Sequence, residues 1–131
     1  MSSTGKASER RKYKRVRVNI KAVYKAKKSL DLIMIVENRE MHGVVFDLSE
    51  GGMVIQTEYN VPTATVLAMK FTMSDAKTPF ASNFPARTIN ITGEVRHKSM
   101  LKNKEYRLGI CFTEINREDR EVVANFIERY C

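Results

Sequence analysis

HGVVFDLSEGGMVIQT, residues 42–57, holds two short apolar runs rich in β-branched residues, joined by the polar turn SEGG. Asp and Ser bond nearby backbone and Gly tolerates positive φ, so DLSEGG reads as a tight turn between two strands. Each run is too short for a helix of ordinary length, and the valines favour a pleated surface. The stretch therefore points to an antiparallel β architecture.

Working outward, the same pattern recurs. Val16, Val18, Ile20 and Ala22 alternate with Arg17, Asn19 and Lys21, the period of a half-buried strand. LDLIMIV (30–36) leads through ENRE to HGVVFDL, and the two runs read as hairpin arms or the first as an irregular insertion. VLAMKF (66–71) follows Pro62, and INITGEVRH (89–97) alternates again, with Gly93 expected at a bend or bulge. In YRLGICF, Tyr106, Leu108, Ile110 and Phe112 share one face, and Cys111 falls in the opposite phase. SDAKTPFASNFPART (74–88), with two prolines, reads as a long loop. The period then changes. Asn116 is a helix cap, Glu118 and Asp119 fill the first turn, and Val122, Val123, Phe126, Ile127 and Tyr130 form one apolar stripe. The expected fold is all-β: about six antiparallel strands in a small barrel, with a C-terminal helix closing one end.

The 131 residues suit one domain with a real core. No apolar run reaches the roughly 20 residues of a membrane span, and the polar, basic N-terminus lacks the apolar core of a secretory signal. Cys111 and Cys131 are too few for a disulfide framework. A reduced, cytoplasmic setting is expected. The net charge of +8 is unevenly spread: residues 1–28 hold eleven cations and one acid, the rest twelve cations and fourteen acids. A cationic end calls for an anionic partner, whether phosphate ligand, nucleic acid or acidic lipid.

Enzyme signatures are scarce. His42 and His97 are far apart in sequence, and no HExxH, GxSxG or phosphate-loop motif is present. Two stretches carry binding chemistry instead. RRKYKR (10–15) packs five cations around Tyr13, and DLSEGG places Asp47 two residues from Ser49 beside Gly51 and Gly52. An aspartate accepts two N–H donors at once, the number on guanine's Watson–Crick edge. Arginine supplies the other half, forking onto guanine O6 and N7 or onto phosphate.

Together these stretches resemble the PilZ domain family. Arg11 to Arg15 matches its RxxxR motif, Arg10 gives the frequent doubled arginine, and Asp47, Ser49 and Gly52 match DxSxxG. HGVVFDLSEGGMVI, TGEVRH and LGICF extend the likeness over residues 10 to 130. The connection at 25–42 is longer than usual for the family. The resemblance implies a flexible basic arm (1–9) before a PilZ domain (10–131) that binds the bacterial second messenger cyclic di-GMP, with no cofactor and no catalysis. Arg11 and Arg15 would clamp phosphate and guanine, Asp47 and Ser49 would read a guanine edge or ribose, and Gly51 and Gly52 would shape the turn. Arg10 is the candidate for gripping a second, stacked ligand. The basic segment would be open in the free protein and gathered onto the barrel by ligand, with the signal relayed to an unidentified protein partner. Two other readings remain: an OB-like nucleic-acid binder, in which Tyr13 or Tyr24 stacks on bases, and a PilZ adaptor that needs no ligand.

Overall fold

A computed structural model describes residues 14–28, 39–73 and 87–130. Six strands, β1 (Val16–Lys28), β2 (Met41–Leu48), β3 (Gly52–Thr57), β4 (Val66–Met73), β5 (Arg87–Met100) and β6 (Tyr106–Ile115), precede a helix, α1 (Arg117–Tyr130). All pairings are antiparallel, and the order β1-β2-β3-β6-β5-β4 closes into a barrel. Two long strands make closure possible. β1 pairs through Val16–Tyr24 with β2 and through Ala22–Lys28 with β4. β5 pairs through Arg87–Glu94 with β4 and through Ile91–Met100 with β6. Closure leaves no sheet edge to aggregate.

The period-two expectations are met where the strands face the interior. Val45, Leu48, Ile55, Leu67, Met73, Ile89, Val95 and Leu108 are fully buried, and Val123, Phe126 and Ile127 of α1 join the same core. Gly93 lies at a register shift between β5 and β6, where a Cβ would meet Ile110 Cγ2 at 2.6 Å. Both edges of β2 are taken by β1 and β3, while LDLIMIV lies outside the described residues. Two expectations change. The sheet absorbs both ends of the 25–42 connection. Arg87 and Thr88, read as loop, open β5 by pairing with Met73 and Thr72.

Asn116 caps α1 as expected, accepting from Asp119 N at 2.7 Å. Asp119 does more than complement the helix dipole. It is 2% exposed, and its carboxylate accepts from Arg87 Nε, Asn90 N and Asn116 Nδ2, each at 3.2 Å. One satisfied carboxylate thus fastens α1 to the start of β5. Buried charge survives only with such pairing.

Tyr24 is 1% exposed, with its hydroxyl 2.7 Å from Thr57 Oγ1, which itself donates to His42 O at 2.9 Å. A ring enclosed this way cannot stack on bases, which removes half of the aromatic support for nucleic-acid binding. Burial pushes the phenol up to about 12, against a partial lowering by Thr57. The folded state therefore keeps a proton that the unfolded chain loses above pH 10. Stability should fall by roughly 1.4 kcal/mol per pH unit between 10 and 12 through this group. Tyr24→Phe should shed about 1 kcal/mol at neutral pH, the net worth of a hydrogen bond. Denaturant unfolding at pH 8 and pH 11 should then show a smaller alkaline loss in Tyr24→Phe than in the parent; an equal loss would contradict the assignment.

Candidate ligand site

The turn between β2 and β3 is built by Ser49. Its hydroxyl accepts from Gly51 N at 3.3 Å and Gly52 N at 3.1 Å and donates to Gly52 O at 3.1 Å, while Ser49 N donates to the same carbonyl at 2.9 Å. One donor and two acceptors are all that a hydroxyl has. The geometry thus gives Ser49 to the turn itself. No described glycine adopts positive φ, so the expected left-handed turn is not the reason for the glycines. Gly52 is needed for space: a Cβ there would stand 2.4 Å from the Ile110 carbonyl oxygen, across the β3–β6 ladder. Gly51 O accepts from Phe112 N at 2.9 Å and ties the turn to β6.

Asp47 stands at the end of β2, after a register shift between Val45 and Asp47. Its Oδ2 accepts from Arg15 Nη1 at 3.4 Å, while Oδ1 is buried without a partner. The last arginine of the basic stretch and the first residue of the turn motif, 32 positions apart, therefore meet. Arg15 is paired and does not stand off by charge repulsion alone. Lys14 also reaches Glu128 of α1, at 3.7 Å. Arg10, Arg11, Tyr13 and the expected arm at 1–9 lie outside the described residues. The cationic excess does not end with the arm, because Arg17, Lys21, Lys25 and Lys27 are exposed at odd positions of β1, the face turned away from the core.

From Asp47 a row of ladder partners crosses the outer surface: Val54 on β3, Gly109 on β6 and His97 on β5. Val54 and Gly109 each lie between two buried residues, so they face outward with little side chain. The row is a low shelf beside an acceptor. Along its flank, the Phe46 ring lies under two guanidiniums, Arg17 at 4.9 Å and Arg107 at 4.2 Å from its centroid. An open groove runs from Arg15 and Arg17 past Phe46 to Gln56 and Glu105, which are joined by a 2.7 Å hydrogen bond. Phe46, Arg17 and Arg107 were not singled out as site residues by sequence reasoning. The available signal was phase: each is a large aromatic or cationic residue alternating with core residues. His42 and His97 stay in strands, and no described group of His, Cys, Asp or Glu could hold a metal.

The family model for the PilZ domain matches residues 9–129. The chain belongs to the PilZ domain family. Solved PilZ-related structures share its fold at low identity. The inhibitor of motility (MotI/DgrA) of Bacillus subtilis superposes with a TM-score of 0.68 at 13% identity, over 91% of this chain and 50% of that one. The PilZ domain of YcgR from Escherichia coli, solved with cyclic di-GMP, gives 0.59 at 15% identity, over 92% and 91%. MrkH of K. pneumonia, solved as its cyclic di-GMP complex, gives 0.57 at 12%, over 91% and 50%. The chain thus spans half the length of the Bacillus protein and nearly all of the isolated YcgR domain. No curated protein matches it. At these identities the superpositions establish the PilZ fold, and the family model establishes membership. No helix among the described residues is long and apolar enough to cross a membrane.

Proposed function

We propose that this PilZ domain is a receptor for cyclic di-GMP that passes the signal to a protein partner. The observation that carries the reading is the Arg15–Asp47 pair at 3.4 Å. It sets Arg15, the last arginine of the basic stretch, beside the first residue of the turn motif. Family membership and the two PilZ neighbours solved with cyclic di-GMP support the ligand. In this reading Arg11 and Arg15 hold phosphate and guanine, and Asp47 offers its unpartnered Oδ1 to a guanine edge. Ser49, Gly51 and Gly52 keep the turn in shape, and Arg10 is available for a second ligand. The domain binds; it does no covalent chemistry.

Calorimetric titration with cyclic di-GMP tests this, with Arg15→Ala as the sharpest variant. A hydrogen bond to a charged group contributes about 1.5–3 kcal/mol, so Arg15→Ala, and likewise Arg11→Ala, should weaken binding roughly tenfold or more. The exposed pair with Asp47 contributes little to folding, so the thermal midpoint should barely move. Arg15→Lys should restore little, because an ammonium lacks the planar fork. Parent-like affinity in both alanine variants would remove these residues from the site.

A further inference from the structure

Among the described residues, two buried side-chain nitrogen or oxygen atoms have no hydrogen-bond partner: Asp47 Oδ1 and Arg107 Nε. One is an acceptor and the other a donor. They flank the same shelf. Asp47 pairs with Val54, Val54 with Gly109, and Arg107 stands two residues before Gly109 on β6, in ladder with Gln56. Neighbouring strands are about 4.8 Å apart, so β2 and β6 lie about 10 Å apart across β3. The Arg107 side chain spans that distance, its guanidinium 4.2 Å from the ring of Phe46, which precedes Asp47 on β2, so the unmet donor and the unmet acceptor border one stretch of surface. The floor between them is Val54 and Gly109, with the His97 side chain standing beside Gly109.

We propose that Arg107 is a guanine-selecting residue of the ligand site, taking the O6/N7 edge of the base whose N1–H and N2–H edge is held by Asp47. This rests on the cyclic di-GMP reading above. Guanine presents two donors on its Watson–Crick edge and two acceptors on its O6/N7 edge, matching the unpartnered acceptor and donor at the same time. Adenine presents one donor and one acceptor on each of these edges, N6–H with N1 and N6–H with N7, so it meets each group with only half of what guanine offers. In the ligand-free chain the Phe46 ring, 4.2 Å from the guanidinium, holds the arginine at the shelf by its face. Arginine stacks on bases as readily as on rings, so the contact is exchanged rather than lost when a base arrives. Leaving a buried donor unmet disfavours the free state, and a bound O6/N7 edge relieves it. Arg107 differs from the arginines of the basic stretch in sitting on a barrel strand, where its position does not depend on the arm.

The test uses the full chain, cyclic di-GMP and its 7-deaza analogue, in which C7–H replaces N7, with affinities from calorimetry. Arg107→Met should bind cyclic di-GMP roughly tenfold or more weakly, with a thermal midpoint equal to or above the parent's, since it removes an unmet buried donor. Arg107→Lys, which keeps the charge without the fork, should behave like the methionine variant. The parent's preference for cyclic di-GMP over the 7-deaza analogue should shrink in both Arg107 variants and persist in Asp47→Ala. Parent-like affinity in both Arg107 variants, or an unchanged preference for N7, would overturn the role of Arg107. If the parent binds and Arg15→Ala weakens it while the Arg107 variants are indifferent, the receptor reading stands and this residue leaves it. A parent that binds no cyclic di-GMP removes both.

Discussion

Asp47→Ala is expected to weaken cyclic di-GMP binding by about 3 kcal/mol or more, roughly 150-fold, through the loss of two hydrogen bonds to a charged acceptor. Stability should respond in the opposite sense or hardly at all. The pair with Arg15 is long and partly exposed, at 3.4 Å with the arginine side chain 45% accessible, so it contributes little to folding. The substitution also removes Oδ1, a buried oxygen that meets no donor in the free protein. The separation between the two responses is the point of the experiment. Calorimetry and thermal unfolding on one preparation should show affinity collapsing while the midpoint stays or rises. Cyclic di-AMP should bind poorly to the parent, because its bases lack the paired donors that Asp47 accepts. An affinity loss that merely follows a loss of fold, or equal affinity for the two dinucleotides, would contradict the edge-reading role.

The other large effect falls on the fold. At Gly52 any side chain would place Cβ 2.4 Å from the Ile110 carbonyl oxygen, a backbone atom that moves only if β3 and β6 part. The site is otherwise tight, since Ser49 bonds both the N–H and the carbonyl of Gly52. Gly52→Ala should therefore cost about 3 kcal/mol, the upper end of the usual penalty for overpacking. For a domain of this size that lowers the thermal midpoint by roughly 10 °C. Gly109→Ala provides the contrast, because its Cβ would meet the His97 side chain, nearest at 3.3 Å, and not backbone. A smaller shift is expected there. A Gly52→Ala midpoint within a degree of the parent's would show that the β3–β6 approach is looser than the geometry implies.

Most of the barrel was legible because its strands are buried on one face, which makes alternation visible: Met53 and Ile55, Leu108 and Ile110 face inward two residues apart, and only in β2 does the shift between Val45 and Asp47 bring Leu48 inward out of that phase. The helix was legible for the same reason at another period. What escaped was long-range. Nothing local in LDLIMIV or HGVVFDL says that both edges of β2 are occupied by β1 and β3. Nor does the sequence show that Asp119 is buried under Arg87, since acids in a first helical turn are ordinarily explained by the dipole alone. At the site, motif spacing brought Arg15 and Asp47 to attention, but it could not say that Ser49 would use its whole hydroxyl on the turn. Phe46 and Arg107 join the same surface through cross-strand neighbours, which only register reveals.

In the proposed function the paired motifs serve one cyclic dinucleotide and not a nucleic-acid strand. A polyanion binder loses affinity steeply with salt, with a log–log slope of about −0.7 per phosphate on single strands. A ligand with two phosphates, held largely by base-edge bonds and stacking, should respond gently. The most direct measurement is a pair of titrations of the parent protein, with cyclic di-GMP and with a single-stranded oligonucleotide, each at low and near-physiological salt. Cyclic di-GMP binding is expected to survive the higher salt while oligonucleotide binding disappears. Tight, salt-resistant oligonucleotide binding with no detectable affinity for cyclic di-GMP would contradict it.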